Sequence, residues 1–253
     1  MIQYGLIGNP LTHSFSAEYF NNKFRNKGID AVYRLYPLNT LNELHELITR
    51  VPELQGLNVT IPFKQTILDF LSTVSPEAEA IGAVNTLLIN RNEHGFGLAG
   101  FNTDAPAFSA EIEEFAVNCR PQALILGTGG AAAAASYVLG KLNFRLFRVT
   151  RGVSDPAKGL ISYSDLTEAI MNESGLIVNA TPAGMFPSVN QKPELPFEQI
   201  NESHFIYDMI YNPEETLLMQ EGRKRGARVR NGLGMLYRQA ELAWEIWQHQ
   251  ARK

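Results

Sequence analysis

Polar side chains directly follow apolar segments at four places in the first half of the chain. The four strings are GNPLTHSFS (8–16), NVTIPFK (58–64), IGAVNT (81–86) and GFNTDAP (100–106). In α/β proteins, ligands bind outside the carboxyl ends of strands, so polar residues at strand ends are the first candidates for chemistry. Ser14, Ser16, Lys64, Asn85 and Asp104 are therefore candidate site residues.

Lys64 and Asp104 together suggest proton transfer. A lysine beside a carboxylate can take or give the proton of an alcohol while a redox cofactor exchanges hydride with the same carbon. Pro62 predicts a helix start and so places Lys64 in a first helical turn. There the helix dipole disfavours a cation by roughly 0.3–1 kcal/mol, which favours a functional role for Lys64. A solvated surface lysine that tolerates this cost is the alternative.

Each of the other candidates has a structural alternative. Ser14 and Ser16 could cap the helix that follows them. Asp104 could be an N-cap, because Pro106 follows within one turn. Asn85 could be a turn residue. These alternatives stay open at the level of single residues.

A glycine-rich turn begins the second half of the chain. Gly127-Thr128-Gly129-Gly130-Ala131-Ala132 follows the apolar segment QALIL and opens an apolar helix. The glycines permit a tight turn and close approach of backbone amides to a pyrophosphate at the helix N-terminus. In this strand–turn–helix context the motif predicts dinucleotide binding, and a plain tight turn is the alternative.

The next strand indicates which dinucleotide is bound. An NAD site normally carries an acidic residue about twenty positions on, to hold the ribose 2′-hydroxyl. Here the segment reads LFRVTRG, with Arg148 and Arg151 and no carboxylate before Asp155. Guanidinium groups suit a 2′-phosphate, so NADP is favoured unless both arginines are solvated strand-end charges.

Alternating apolar and amphipathic segments predict an α/β fold with two domains. Strands are expected near 2–7, 31–36, 55–60, 84–90, 96–101, 122–127, 145–150, 175–181, 204–208 and 227–230. Helices are expected near 16–27, 40–50, 63–71, 104–116, after 130, and over 232–250. The first predicted domain is a substrate-binding domain over 1–103 with a mostly parallel sheet, completed by the C-terminal helix 232–253. The second predicted domain is a Rossmann-like domain over 104–231. A cleft is expected between the two domains.

An uncharged segment before Lys141 and a glutamine on the last helix each have two possible interpretations. The twenty residues between Arg120 and Lys141 carry no charge, but Gly-Thr-Gly-Gly interrupts them, which favours a buried strand, turn and helix over a membrane helix. Gln239 lies in line with Met235, Leu242 and Ile246 on the last helix, where an unpaired amide would be costly. A hydrogen-bonded core glutamine is the alternative to a ligand contact.

The composition excludes several function classes. The net charge of −4 gives no electrostatic footprint for nucleic acid or an anionic membrane. One cysteine excludes a disulfide framework and fits a reducing compartment, and the N-terminus has no signal-peptide pattern, so a cytoplasmic protein is expected. The five histidines have no metal-ligand spacing, and no G-x-S-x-G hydrolase motif occurs, so no metal is expected.

Taken together and in order, the strings resemble the shikimate dehydrogenase family over nearly the whole chain. GNPLTHSFS, NVTIPFK, IGAVNTL, GFNTD, LGTGGAA, NATPAGM, YDMIYNPEETLL and NGLGMLYRQAELAWEIW carry the resemblance. It implies reversible reduction of 3-dehydroshikimate to shikimate by NADPH in aromatic amino-acid biosynthesis, by a monomer or homodimer.

The resemblance also implies roles for individual residues. Ser14 and Ser16 would hold the substrate carboxylate, with Tyr211 nearby. The residues that would contact the ring hydroxyls are Thr60, Lys64, Asn85, Asp104 and Gln239, with Lys64 and Asp104 as the catalytic pair. The residues that would bind the cofactor are Gly127, Thr128, Gly129, Gly130, Ala131, Thr150, Arg151, Thr181, Met209 and Gly232.

The chain departs from the family pattern at three places. Ala105-Pro106-Ala107 stands where glycines usually follow NTD, Thr150-Arg151-Gly152 replaces the usual Asn-Arg-Thr, and the loops around 152–160 are short. The second departure makes the cofactor preference less secure than the reaction type. The alternatives are a quinate-preferring enzyme that uses NAD, against which the retained Ser16 argues, and a non-catalytic NADP sensor, against which Lys64 and Asp104 argue.

Overall fold

A computed structural model describes residues 1–11, 14–116, 118–152 and 154–250, with the backbone alone at 114, 116, 249 and 250. The chain divides into two compact units. The first comprises Met1–Thr103 and Ala240–Lys253, and the second comprises Asp104–Gln239.

The first unit is built on a six-stranded mixed sheet. Its strands are β1 (Ile2–Gly8), β2 (Ala31–Pro37), β3 (Leu54–Val59), β4 (Thr73–Val74), β5 (Thr86–Asn92) and β6 (Gly95–Phe101). Their spatial order is β2-β1-β3-β5-β6-β4. β1 runs parallel to β2 and β3, whereas β5 runs antiparallel to β3 and β6. The carboxyl ends of β1, β3 and β6 therefore lie on the same edge as the amino end of β5.

Helices cover both faces of this sheet. They are α1 (Phe15–Lys27), α2 (Glu43–Arg50) and α3 (Pro76–Ile81), together with the final part of the C-terminal helix. One apolar cluster gathers α2 side chains such as Leu44 and Ile48 with those of the central strands. A second cluster joins Tyr4 and Phe20 to Trp244 and Trp247 of the C-terminal helix.

The prediction of an α-helix over 63–71 is wrong. The structure has a turn followed by a short 3-10 helix over Thr66–Phe70, so Lys64 precedes the helix instead of lying in its first turn. The carbonyl of Lys64 accepts a hydrogen bond from the Val84 amide at 2.7 Å, while the Leu68 amide bonds the Gln65 carbonyl at 3.4 Å. Because a tertiary contact uses the Lys64 carbonyl, the α-helical ladder does not form there, and the dipole argument does not apply to Lys64.

The second unit is a parallel six-stranded sheet in the order β12-β11-β10-β7-β8-β9. Its strands are β7 (Gln122–Leu126), β8 (Arg145–Thr150), β9 (Leu160–Ser162), β10 (Leu176–Asn179), β11 (Phe205–Asp208) and β12 (Arg228–Asn231). β7 and β10 are buried at every position, as expected for strands covered on both faces. The expected mixed α/β architecture with a Rossmann-like second half is confirmed.

The second unit carries the helices α4 (Asp104–Ala116), α5 (Gly130–Lys141), α6 (Glu168–Glu173) and α7 (Leu217–Lys224). The last helix, α8 (Leu233–Gln250), begins in the second unit and ends in the first. The uncharged segment between Arg120 and Lys141 forms β7, a turn and α5, as predicted. Over the described residues, no helix combines the length and apolarity that a membrane crossing requires.

Sequence patterns missed several short elements. They are β4, α3, β9, α6 and α7, of which the strands are two and three residues long. α3 begins after Ser75, whose side chain accepts a hydrogen bond from the Ala78 amide at 3.2 Å, with Pro76 in the first turn. That cap and proline are a readable helix start, but six residues give too little periodicity to identify a helix.

Candidate active site

All four polar strings reach one edge of the first sheet, the fourth through the bond from the Asn85 amide to the Phe101 carbonyl at 3.0 Å. The Asn9 amide donates to the Ile61 carbonyl at 3.0 Å, and the Val84 amide donates to the Lys64 carbonyl at 2.7 Å. The Val59 amide donates to the Asn85 carbonyl at 2.8 Å. Parallel pairing of β1 with β3 and antiparallel pairing of β3 with β5 bring these segments together.

Asn85 is fixed in orientation by its neighbours. Its Oδ1 accepts from the Thr103 amide at 2.8 Å and from the Thr86 hydroxyl at 3.2 Å, and its Nδ2 donates to the Thr103 hydroxyl at 2.9 Å. A backbone N–H can only donate, so the side-chain atom that the Thr103 amide bonds must be Oδ1. The orientation of the Asn85 amide group is thereby fixed.

Lys64 lies in the first unit, and Asp104 is the first residue of the second. Lys64 is half-buried in the turn that follows β3. Asp104 is 5% exposed and is the first residue of α4, directly after Thr103 of the Asn85 frame. Because the helix begins at Asp104 itself, the aspartate is one position past the N-cap that we considered.

The serines of the first string stand at the start of α1. Ser14 occupies the N-cap position with extended backbone, but its side chain makes no capping hydrogen bond. Capping therefore does not explain it. Ser16 is the second residue of α1 and is half-buried. Thr12 and His13 of the same string lie outside the described residues.

Thr60 directly follows β3 and is hydrogen-bonded to β1. Its amide donates to the Ile7 carbonyl at 3.0 Å, and a Cβ on Gly8 would collide with its methyl group. Only glycine at position 8 lets the two strand ends approach so closely. Thr60 itself is half-buried.

In the second unit, the glycine turn has the form of an anion cradle. Gly127 has φ +109°, a conformation that glycine adopts readily, and a Cβ there would lie 3.2 Å from the Ala180 carbonyl oxygen. Thr128 and Gly129 are exposed, and α5 opens at Gly130 with no side-chain cap and no acidic residue in its first turn. The first amides of α5 are thus oriented toward any anion bound there. Ala131 is half-buried in the same turn, and Ala132 is fully buried.

The carboxyl end of β8 supplies positive charge beside this cradle. Thr150 is its last residue, and its hydroxyl accepts from the Gly152 amide at 3.1 Å, so the chain turns around an exposed Arg151. Arg151 lies close enough to Tyr163 to lower the pKa of that phenol, although burial raises it more. Asp155, the nearest following acid, pairs with Lys158 at 3.1 Å.

The ends of β10, β11 and β12 complete this edge. The Met209 amide donates to the Asn179 carbonyl at 3.0 Å, and the Gly232 amide donates to the Ile210 carbonyl at 3.1 Å. A Cβ on Gly232 would overlap the Met209 carbonyl. Thr181 follows β10, where its hydroxyl donates to Asn179 Oδ1 at 2.6 Å. The predicted cofactor residues thus follow five adjacent parallel strands.

A buried carboxylate holds the last of these strand ends together. Asp208 accepts from the Thr216 hydroxyl at 2.6 Å, from the Asn179 side chain at 3.0 Å and from the Ile210 amide at 3.1 Å. Burial raises the pKa of Asp208 to about 6 in spite of these three donors. The aspartate fixes the loops that carry Thr181 and Met209.

Tyr211 and Gln239 both belong to the second unit. Tyr211 is half-buried in the loop after β11, and burial raises its pKa. That loop is tied to the loop after β10 by the bond from the Phe186 amide to the Asn212 carbonyl at 3.0 Å. Gln239 is half-buried in α8, where its Nε2 donates to the Leu236 carbonyl at 2.8 Å. The side-chain amide is therefore hydrogen-bonded, as the structural alternative required, although the residue is half-buried instead of lying in the core.

Sequence reasoning missed the buried groups behind these sites. Tyr33, Asn58 and Thr86 support the substrate-side candidates, and Asn179 and Asp208 support the cofactor side. Polar residues inside otherwise apolar strands, as in LNV, LIVN and FIYD, were a usable signal. Among the described residues, no group of three or more His, Cys, Asp or Glu side chains could hold a metal ion.

Fold and site together define an α/β protein with a dinucleotide-binding type of second unit and a lysine–aspartate candidate pair. A family model for the shikimate dehydrogenase substrate binding domain matches residues 6–87. The NADP(+)-dependent shikimate dehydrogenase of Desulforamulus reducens is 35% identical over 265 residues, covering 96% of this chain and 88% of that protein. The chain therefore belongs to the shikimate dehydrogenase family, and the expectation of an oxidoreductase acting on a CH–OH group is confirmed.

Two solved structures extend the comparison. Shikimate 5-dehydrogenase from Thermus thermophilus, in complex with NADP(H) and shikimate, superimposes with a TM-score of 0.80 at 31% identity, covering 98% of this chain and 94% of that one. Quinate dehydrogenase from Corynebacterium glutamicum, in complex with NAD, gives a TM-score of 0.82 at 26% identity, with coverage of 98% and 94%. Both solved structures therefore share the fold of this chain over nearly its whole length.

Proposed function

We propose that this chain catalyses the reversible reduction of 3-dehydroshikimate to shikimate with NADPH. The observation that carries this proposal is the convergence of Thr60, Lys64 and Asn85 at one sheet edge, with Asp104 directly after the residue that orients Asn85. The first unit then serves as the substrate domain and the second as the NADP domain.

The proposed chemistry assigns proton transfer to the chain and hydride transfer to the cofactor. When bound, NADPH supplies the hydride to the ring ketone. Lys64 gives the proton to the oxygen of that ketone and takes it back in the reverse direction, and Asp104 orients Lys64 and the hydroxyl. Ser14 and Ser16 hold the substrate carboxylate with Tyr211 nearby, and Thr60, Asn85 and Gln239 bind ring hydroxyls.

The chain's own residues fit an NADP molecule. An added Cβ would lie 3.2 Å from the Ala180 carbonyl oxygen at Gly127 and would overlap the Met209 carbonyl at Gly232, so both glycines let backbone segments approach closely at this edge. The start of α5, which has no side-chain cap, lies at the same edge. The residues proposed to line the pyrophosphate are Gly127, Thr128, Gly129, Gly130 and Ala131. Arg151 holds the 2′-phosphate, Thr150 shapes its turn, and Thr181, Met209 and Gly232 border the nicotinamide end.

An absorbance assay at the nicotinamide band tests the proposal. Purified protein is given shikimate or quinate, each crossed with NADP or NAD. We expect shikimate with NADP to be the best pairing, because Ser16, Lys64 and Arg151 are all present. Faster turnover of quinate than of shikimate at saturation would assign the chain to the quinate-using branch, and no turnover with any pair would support an NADP sensor.

We further propose that the enzyme acts in the cytoplasm as a monomer or homodimer. The single cysteine, half-buried at Cys119, supports a reducing compartment. Light scattering coupled to size-exclusion chromatography gives the mass directly, and a species larger than two chains would contradict the second part of this proposal.

A further inference from the structure

A buried threonine that the proposed reaction does not use lies beside Asn85. Thr86 is the first residue of β5, and its side chain is 0% exposed. Its hydroxyl oxygen lies 3.2 Å from Asn85 Oδ1, 3.3 Å from Asn58 Nδ2 and 3.4 Å from the Thr103 hydroxyl. All three partners are buried as well. Valine has nearly the same shape and avoids the cost of burying a hydroxyl, so a threonine here indicates that the hydroxyl is used.

The direction of the hydrogen bonds around Thr86 follows from a backbone carbonyl. The Asn85 carbonyl oxygen can only accept, so the Asn58 atom that lies 3.3 Å from it must be Nδ2. Asn58 Oδ1 then accepts from the Tyr33 hydroxyl at 2.8 Å. Burial raises the pKa of Tyr33 well above its ordinary value, so that hydroxyl keeps the proton it donates. Asn58 Nδ2 also donates to the Thr86 hydroxyl oxygen.

The proton of the Thr86 hydroxyl is thereby directed to Asn85. Because Asn58 donates to the Thr86 oxygen, the Thr86 proton is left to donate elsewhere, and Asn85 Oδ1 is the nearer of the two acceptors in reach. The other acceptor, the Thr103 hydroxyl, already receives a hydrogen bond from Asn85 Nδ2 at 2.9 Å. Asn85 Oδ1 also accepts from the Thr103 amide at 2.8 Å. The Asn85 side chain is thus held from β5 by Thr86 and from the segment after β6 by Thr103.

We propose that the Thr86 hydroxyl is a positioning group for Asn85, which holds the side-chain amide in the orientation that binds a ring hydroxyl of the substrate. The inference rests on the proposed function, in which Asn85 makes that contact. Because Thr86 is fully buried, it acts through Asn85 and does not touch the substrate. Loss of its hydroxyl removes one of the donors that hold Asn85 Oδ1, so the amide spends less time in the binding orientation.

The test compares Thr86→Val, which removes the hydroxyl and keeps the shape, with Thr86→Ser, which keeps the hydroxyl. In Thr86→Val we expect KM for shikimate to rise about 3- to 10-fold, the equivalent of one hydrogen bond. The kcat value and KM for NADP should stay within about twofold, because a contact made equally in the ground and transition states affects KM alone. Thr86→Ser should keep KM for shikimate within about twofold of wild type.

A matched control makes the same chemical change on α2. The Thr49 hydroxyl donates to the His45 carbonyl at 2.9 Å, outside this network, so Thr49→Val should leave KM for shikimate unchanged. A thermal melt of each variant separates positioning from stability. A merely structural role of Thr86 would lower the melting temperature of Thr86→Val without the selective rise in KM.

A double variant and a smaller substitution make the result decisive. In an Asn85→Ala background, Thr86→Val should change KM by less than about twofold, because the group that it positions is gone. Thr86→Ala replaces Thr86→Val if the latter does not fold. An unchanged KM in Thr86→Val, an equal rise in Thr86→Ser, or an undiminished effect in the Asn85→Ala background overturns the proposal. Failure of both Thr86→Val and Thr86→Ala to fold also overturns it, because the hydroxyl would then serve the fold.

Failure of this inference is distinguishable from failure of the proposed function. Wild-type protein that does not oxidise shikimate with NADP refutes the function. Active wild-type protein with an unaltered KM in Thr86→Val refutes only the role of Thr86.

Discussion

At the scale of single residues, the backbone and the side chain of Lys64 have different roles. The carbonyl anchors the turn through the Val84 amide, while the half-buried ammonium group is proposed to exchange the alcohol proton. Substitution of the side chain leaves the anchoring carbonyl in place. Fold and chemistry can therefore be separated experimentally at this position.

We expect Lys64→Ala to lower kcat by about 10²–10⁴-fold, the usual range for general acid–base assistance. The melting temperature should barely move, because the backbone anchor remains. Steady-state kinetics and a thermal melt measure the two effects, and Gln65→Ala, the exposed neighbour in the same turn, is the control. A near-normal kcat would show that Lys64 is only a surface charge.

Arg151 is the residue on which the NADP preference depends. Arg151→Ala removes charge-assisted hydrogen bonds to the 2′-phosphate worth roughly 1.5–3 kcal/mol, so NADP affinity should fall by about one to two decades. NAD has no phosphate there, and its affinity should stay nearly constant. Titration of both cofactors against wild type, Arg151→Ala and the control Arg145→Ala measures this, because Arg145 begins the same strand and pairs with Glu173. The titrations are made at low and high salt because screening weakens such contacts. Equal weakening of NADP and NAD would instead assign Arg151 to the fold or to the adenine.

At the scale of elements, the candidate residues depend on how closely strand ends approach each other. Gly8 lets β1 approach Thr60 after β3, and Gly232 lets the start of α8 approach Met209 after β11. Each glycine lies at the edge of the sheet in its own unit, where ligand groups are proposed to bind. Their small size is needed for packing and not for a special φ angle.

Gly232→Ala should therefore disturb the loop that follows β11. The added Cβ would overlap the Met209 carbonyl, so that backbone must move, and overpacking of this kind costs about 1–3 kcal/mol. We expect a lower melting temperature and a higher KM for NADP. Gly140→Ala is the matched control in an exposed helical site, where alanine should stabilise by about 0.5–1 kcal/mol and leave activity intact. An unchanged KM for NADP in Gly232→Ala would mean that Met209 does not border the cofactor.

At the scale of the whole molecule, Asp208 links stability to pH. Its pKa is about 6 in the folded protein against an ordinary value of 3.8, because burial disfavours the charged carboxylate. Between these values the folded state holds a proton that the unfolded state has lost, so this group's contribution to stability falls as pH rises from about 4 to about 6. The ionised Asp208 carboxylate therefore lowers the stability of the folded state at neutral pH, and its hydrogen bonds offset only part of this cost.

Asp208→Asn should remove this pH dependence. The amide can keep the bonds from Ile210 and Asn179 on its oxygen and donate to Thr216 with its nitrogen. The free energy of unfolding of the variant minus that of wild type should be larger at pH 7 than at pH 4 by roughly 2–3 kcal/mol. Denaturant titrations at both pH values measure the difference. A difference that is constant with pH would contradict the raised pKa.

The sequence by itself determined the class of fold and most of the strand-end candidates. Apolar segments such as QALIL followed by Gly127-Thr128-Gly129-Gly130 predicted β7, the turn and α5, because burial and glycine conformation are local properties of the chain. Ordered motifs indicated the family, and the comparisons confirmed it.

Only the tertiary structure decided what surrounds those candidates. The turn at Lys64 replaced the predicted helix because Val84, twenty residues away, bonds the Lys64 carbonyl. The hydrogen bonds from Tyr33 to Asn58 and from Asn58 to Asn85 join residues from three separate segments. Hydrogen bonds between distant segments depend on strand register and sheet order, which no local pattern of residues encodes.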